Sequence, residues 1–295
     1  MKKGLTLKQK QLMTGWFFII PGVLLIVVLS FFPMFKALYT SFLVGKGNNQ
    51  SFGGFTNYMR IFKDKVFLQS IKNCFFYLII QVPIMLILAL ILASVLNQPN
   101  LKLKGVFRTL IFLPCATSLV AYAIIFRSLF AQDGLVNNVL ISLGILDRGY
   151  EFISHPTSAK IIIIIALIWR WTGYNMVFYL AGLQNIDYSI YEAARIDGAS
   201  AFQQFMKITV PLLKPTILLT AIMSTNGTLQ LFDESVNLTK GGPANASITM
   251  SHYIFNKAFQ GVPNFGYTSA MAFVILIMVA ILAFIQMRVG DDKRD

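Results

Sequence analysis

Six apolar blocks, each long enough to cross a lipid bilayer, constrain this 295-residue chain more than any other feature of its sequence. They occupy residues 15–35, 71–96, 106–130, 161–182, 212–232 and 267–287. A hydrocarbon core about 30 Å thick needs roughly 20 residues of α-helix to span it. No water is available there for backbone amides and carbonyls, so each block must satisfy its own by forming a helix. The expected fold is therefore an all-α, polytopic integral membrane protein with six transmembrane helices. Pro21, Pro33, Pro83 and Pro114 interrupt ideal helices, but neighbouring helices can satisfy the backbone groups they free. Charged residues make up only 13% of the chain, about half the share usual in soluble domains, roughly 25%.

The connections divide the chain into a tail at 1–14, a first span with its outer loop at 15–66, a core of five spans at 67–288, and a tail at 289–295. The core includes an inner loop at 184–211. None of the outer loops is long enough to build a catalytic domain with its own core. The first block follows Lys2, Lys3, Lys8 and Lys10, as a signal peptide would, yet its apolar run is too long and no small-x-small cleavage site follows. The net charge of +13 does not indicate nucleic acid, because the basic residues are scattered through the connections rather than gathered on one soluble face. They are densest at Lys2, Lys3, Lys8, Lys10, Lys102, Lys104, Arg108, Arg195, Lys207, Lys214, Arg288, Lys293 and Arg294. The positive-inside rule then sets both termini on the cytoplasmic side. Cys74 and Cys115 fall within apolar blocks and imply no disulfide framework.

The inner loop carries local signals of its own. Ser189-Ile190-Tyr191-Glu192 fits a capping box, which predicts a short helix from Ser189. Ile190, Ala193, Ala194 and Asp197 then share one face as a small, mostly apolar stripe, and Gly198 supplies the left-handed residue that ends the helix. Ser200-Ala201-Phe202-Gln203 offers a second capping box, opening a helix that must stop or kink near Pro211. A helical hairpin of this kind can rest on lipid headgroups. Its alanine stripe is too weakly hydrophobic for that, and suits docking into a protein groove better.

Read through, Tyr191-Glu192-Ala193-Ala194-Arg195-Ile196-Asp197-Gly198-Ala199, continued by Ile208-Thr209-Val210-Pro211-Leu212, resembles the "EAA" loop of permease subunits in type I ATP-binding-cassette importers. The segments Arg108 to Pro114, Trp169-Arg170-Trp171-Thr172-Gly173-Tyr174 and Leu238-Thr239-Lys240-Gly241-Gly242-Pro243 resemble the carbohydrate branch, which includes maltose and glycerol-3-phosphate permeases. Lys240 stands where that branch more often has glycine, and Val210 where it has leucine. The end of the last span, Phe284 to Arg288, is more similar to the first permease subunit of a pair than to the second. The resemblance implies a bacterial cell-membrane location and a coupling role for Tyr191, Glu192, Ala193, Ala194, Asp197 and Gly198. It also implies the partners: a second homologous permease, two cytoplasmic ATPase subunits, an extracellular solute-binding protein and a carbohydrate substrate. ATP and magnesium would belong to the ATPase, and no cofactor to this chain, which has no Gly-x-x-x-x-Gly-Lys-Ser/Thr phosphate loop.

The same resemblance implies a substrate pathway at Arg170, Trp171 and Tyr174 in the fourth span and at Ser224, Gly227, Thr228 and Leu231 in the fifth. Each set falls on one helical face. Arg170 either pairs with backbone carbonyls or a neighbouring subunit, or faces a watery cavity, and it keeps an anionic saccharide or glycerol phosphate ester open as the cargo. A different class, an ion-coupled carrier, would need ionisable residues within its spans. The acids, among them Asp64, Asp187, Asp233 and Glu234, all fall in loops, tails or span ends. An enzyme would need a nucleophile with a base or a metal cluster; His155 and His252 lie in separate outer loops and read as surface residues.

Overall fold

The computed structural model describes residues 6–47 and 49–290; Lys2, Lys3, Lys293 and Arg294 lie outside them. The described residues are helical apart from one small hairpin, and they form two compact units. Four helices are long and apolar enough to cross a membrane, and six spans result if each of two bent pairs counts as one.

One unit comprises the described residues of Met1–Phe62 with Lys257–Phe273. Its first helix, α1 (Leu7–Ser41), starts from a capping box in which Thr6 and Gln9 exchange side-chain and backbone hydrogen bonds. A widened π turn at Val27–Phe31 stands just before Pro33. Proline has no amide proton and its ring collides with the carbonyl one turn back, so widening that turn lets the helix continue. No residue of Leu7–Ile26 is buried. Strands β1 (Leu43–Lys46) and β2 (Asn49–Phe52) pair antiparallel, Leu43 opposite Phe52. The hairpin is tied to α2 (Thr56–Ile61) by the Asn57 amide, which donates to the carbonyls of Ser41 and Leu43 at 2.9 and 2.7 Å.

The other unit comprises Lys63–Asn256 with the described residues of Val274–Asp295. Its frame is the packing of α3 (Lys65–Leu96) along α7 (Pro156–Gln184). Asp64 caps α3, accepting from the amides of Val66 and Phe67 at 3.1 and 3.2 Å. Two apolar clusters fill the contact. Tyr77, Tyr122, Ile163 and Leu167 lie in one and Ala89, Ala93, Met176, Tyr179 and Leu213 in the other. The small residues let the helices approach, as is usual where lipid supplies no hydrophobic drive between them. Gly173 marks the closest approach to α4 (Lys104–Ala116): a Cβ there would stand 2.0 Å from the Ile111 carbonyl oxygen.

The third span differs from the continuous helix expected. It breaks after Ala116, and α4 and α5 (Leu119–Leu129) meet at 96°. Arg170, contributed by α7, holds the carbonyls at the break. The fifth span also bends, by 69° between α9 (Ala201–Leu212) and α10 (Lys214–Leu229). The kink expected near Pro211 falls at Leu213, two residues on, because a π turn at Phe205–Thr209 makes room for the proline ring as the first does for Pro33. The connections after the third and fifth spans hold α6 (Leu135–Ser142) and α11 (Met250–Phe259), and α12 (Phe265–Gly290) forms the last span. Within this unit the Gln286 amide donates to Thr225 Oγ1 at 2.7 Å.

The inner-loop helix α8 (Tyr188–Ile196) begins before the expected Ser189 box. Asp187 is its cap, accepting from the Ser189 amide at 3.0 Å. Starting there adds Tyr188 to the helix, where its ring receives the Arg195 guanidinium at 5.3 Å and lies beside Tyr191. Glu192 is thereby an exposed mid-helix residue, not a capping one. The second box forms as read, between Ser200 and Gln203. His252 is also not the surface residue expected. It is buried, with Nδ1 2.9 Å from the Ser235 hydroxyl.

Candidate functional site

A cavity of about 590 Å³ opens between α3, α7 and α10. On α7 it is lined by Leu167, Trp171, Tyr174 and Asn175, which recur at helical spacing and so share a face. On α10 and its continuation the lining residues are Met223, Ser224, Gly227, Thr228, Gln230 and Leu231, and Phe232, Asp233 and Glu234 close that end. Gln81 and Met85 face it from α3, Cys115 and Leu119 from the break between α4 and α5. Of the seven pathway residues, the structure thus gathers Trp171, Tyr174, Ser224, Gly227, Thr228 and Leu231 around one space, and leaves Arg170 out of the lining.

The wall is fixed by a polar lattice. Thr228 Oγ1 lies 3.1 Å from Gln81 Oε1 and 2.8 Å from the Ser224 carbonyl oxygen, so its single proton is shared between two acceptors. Gln81 Nε2 donates to Met85 Sδ at 3.0 Å, and Asn175 Nδ2 to the Trp171 carbonyl at 3.0 Å. Trp171 and Tyr174 meet edge to face at 5.6 Å, and Tyr174 meets Phe178 at 5.1 Å. A Cβ at Gly227 would meet nothing within 4 Å, so this helical glycine keeps the space open.

Arg170 stands behind this wall, 5% exposed. Nη2 donates to the carbonyls of Thr117 and Cys115 at 3.0 and 3.3 Å; Nη1 reaches the Pro114 carbonyl and Thr117 Oγ1, both at 3.4 Å. Its guanidinium lies over the rings of Tyr122 and Trp171, at 4.8 and 5.5 Å. The arginine acts as a cap for the broken end of α4, where carbonyls have no intrahelical partner. Glu234, 3% exposed, sits beside Tyr122, whose buried hydroxyl stands next to the carboxyl without closing a hydrogen bond of ordinary geometry. Burial pushes the Glu234 carboxyl above the ordinary glutamate range, and burial likewise holds His252 below the ordinary histidine range.

Sequence reasoning passed over Gln81, Asn175, Asp233 and Glu234. Gln81 and Asn175 had a signal, since an amide inside an apolar block usually faces the bundle interior.

The second candidate surface is the hairpin of α8 and α9. No side chain of α8 is buried, and Ile190, Ile196, Phe202 and Met206 stand exposed on the hairpin. Gly198 adopts φ +80°, with the Ala199 amide bonded to the Ala194 carbonyl at 2.9 Å and the Gly198 amide to that of Arg195 at 3.0 Å. This is the Schellman arrangement, which turns the chain sharply after a helix. Tyr191 and Thr209 join their hydroxyls at 3.0 Å and pin the two helices together. Glu192, Ala193, Asp197 and Gly198 face outward, and Ala194 is half-buried.

Residues 85–294 match the family described as binding-protein-dependent transport system inner membrane component. The chain is 48% identical to the lactose transport system permease protein LacF of Rhizobium radiobacter, over 98% of each chain. It is 31% identical to the trehalose/maltose transport system permease protein MalF of Thermococcus litoralis, over 98% of this chain and 97% of that one. The arabinooligosaccharides transport system permease protein AraP of Halalkalibacterium halodurans is 30% identical, over 96% and 89%. Among solved structures, the fold is similar to a bacterial ABC transporter involved in the import of the acidic polysaccharide alginate. That match has a TM-score of 0.82 at 24% identity and covers 96% of this chain and 98% of that one.

Proposed function

The chain belongs to the family of binding-protein-dependent transport system inner membrane components, and from that premise we propose that it is the permease subunit of an ATP-binding-cassette importer for a carbohydrate, an oligosaccharide. The cavity carries this reading. Its volume of about 590 Å³ is within the roughly 300–1,000 Å³ usual for small-molecule sites. Trp171 and Tyr174 offer ring faces to sugar C–H groups, while Ser224 and Thr228 on the opposite helix offer hydroxyls to orient the ring. The sugar names carried by the relatives support the same class.

The exposed hairpin supports an ATPase partner. Tyr191, Glu192, Ala193, Ala194, Asp197 and Gly198 form a short, capped helix end with small side chains, suited to a cleft in a cytoplasmic ATPase that carries ATP and magnesium. A rigid turn at Gly198 would pass the movement of that partner to α9 and α10, and so to the cavity wall, in alternating access. A second homologous permease completes the cavity, and a solute-binding protein delivers the sugar from outside; a similar bacterial alginate transporter is known in complex with an alginate pentasaccharide-bound periplasmic protein. Both termini and the connection near Gln98 are cytoplasmic, so a reporter active only in the cytoplasm reads positive when inserted at Gln98.

The decisive experiment reconstitutes the chain with its second permease, ATPase and binding protein in vesicles, and follows uptake of labelled lactose, maltose and arabino-oligosaccharides. Uptake of at least one must require ATP and every subunit. Trp171→Ala and Tyr174→Ala must raise the KM while the ATPase still co-purifies. Uptake driven by a proton or sodium gradient without the ATPase would refute the assignment.

A further inference from the structure

Among the described residues, the cavity wall carries two acidic side chains, Asp233 and Glu234, and no basic one. Arg170 is the charge that the sequence places inside a span, yet its recorded hydrogen bonds all go to Pro114, Cys115 and Thr117. A guanidinium presents its donors in a fixed fork, so with both terminal nitrogens engaged by α4 it has no face left to clamp a carboxylate or phosphate. Its Nε is buried and without a partner, out of reach of the cavity. An anionic saccharide or glycerol phosphate ester therefore meets no cation among the described residues of this wall, and faces two carboxyl groups instead.

Glu234 is almost wholly buried, yet it lines the cavity. Next to it the Tyr122 hydroxyl is buried and stands beside the carboxyl without closing a hydrogen bond of ordinary geometry. A carboxyl group accepts from a ligand hydroxyl and, when protonated, also donates to one, so Asp233 and Glu234 each offer a sugar hydroxyl a partner in the wall, with Tyr122 packed behind Glu234 outside the lining. Resting on the carbohydrate-permease reading above, we propose that Asp233 and Glu234 are specificity-determining residues that take hydroxyl groups of an uncharged sugar and reject carboxylated or phosphorylated ones. Gln81, Asn175, Ser224 and Thr228 supply the neutral part of the same recognition. Arg170 is a positioning residue that holds the break of the third span and leaves the ligand alone.

The test pairs sugars with the same open-chain end that differ in charge: lactitol and maltitol against lactobionate and maltobionate. Equilibrium binding is measured on the purified full transporter without its binding protein, so that the membrane cavity alone discriminates. We expect the wild type to prefer the neutral member by about tenfold or more, as like-charge contact predicts. Asp233→Asn and Glu234→Gln, singly and together, should shrink that ratio to about threefold or less by admitting the acids. Co-purification of the ATPase reports assembly of each variant, and half-buried Asp233 provides a variant that leaves the Tyr122 pocket untouched. Equal or tighter binding of the acids by the wild type, or an unchanged ratio in an assembled Asp233→Asn/Glu234→Gln protein, overturns the proposal while leaving the carbohydrate reading intact. If no saccharide of either charge binds, the carbohydrate reading falls and this inference falls with it.

Discussion

Gly173 on α7 and Gly227 on α10 are both helical glycines, and the structure assigns them opposite fates on substitution by alanine. At Gly173 the added carbon would stand 2.0 Å from the Ile111 carbonyl oxygen, whereas ordinary contact begins near 3.4 Å. The obstacle is backbone, so α4 and α7 must separate by about 1.4 Å at that point. Overpacking of this kind costs about 1–3 kcal/mol. The same displacement stretches the Arg170 contacts to Pro114, Cys115 and Thr117, already 3.0–3.4 Å long, and a buried charge that loses its partners costs about 3–5 kcal/mol. At Gly227 the carbon meets nothing, and removing glycine from a helix interior returns roughly 0.5–1 kcal/mol. Gly173→Ala should therefore lower the unfolding midpoint of the detergent-solubilised subunit sharply. Gly227→Ala should leave it equal or higher while raising the KM for sugar uptake, because its methyl group occupies cavity space. Differential scanning fluorimetry and vesicle uptake on both variants decide the matter; a Gly173→Ala protein as stable as wild type would refute the packing argument.

Gly198→Val adds a Cβ into open space but at φ +80°, so its effect is backbone strain alone, about 1–2 kcal/mol or more; uptake and ATPase co-purification should fall together, and Gly198→Asn should retain more of both. Because Asp187 rather than Glu192 caps α8, Glu192→Ala should change stability by no more than about 0.5 kcal/mol, and any loss of co-purified ATPase then measures a contact across the docking surface. The raised Glu234 pKa favours the protonated form in the folded chain, so the native state binds more protons than the unfolded one as pH rises from the ordinary glutamate value, about 4.3. Stability must fall with rising pH through that window. Burial sets the direction, Asp233 acts with it, and Tyr122 and Arg170 oppose it; thermal melts across pH should show the slope in wild type and its loss in Glu234→Gln.

The spans were legible in the sequence because lipid imposes a length and forbids charge, and both constraints are local. The Gly198 turn and the Ser200–Gln203 cap were legible for the same reason, each resting on a few consecutive residues. The 96° break was not, because Pro114 alone does not fix it; Arg170 on a different helix does. The Ser189–Glu192 box pattern places the start of α8 two residues late, because the Asp187 side chain accepts from the Ser189 amide and brings Tyr188, beside Arg195 and Tyr191, into the helix. The burial of His252 depends on the turn at Ser235–Thr239 folding back on α11, which no local pattern announces. The cavity faces on α7 and α10 followed from spacing together with family resemblance, while Asp233 and Glu234 escaped because residues at a span end read as belonging to the water.

The arginine that caps α4 arrives late. The Pro114 carbonyl already accepts from the Thr117 hydroxyl at 2.7 Å. The arginine's other backbone acceptors, the carbonyls of Cys115 and Thr117, are synthesised 55 and 53 residues before it, so these two leave the ribosome before the group that takes them. In hydrocarbon those carbonyls need partners, and until α7 enters the membrane the chain has reason to keep α4 and α5 as one straight helix or to hold the break at the aqueous exit of the insertion machinery. The bent span is thus an event of biogenesis as much as of architecture, and its timing is set by the translation of α7.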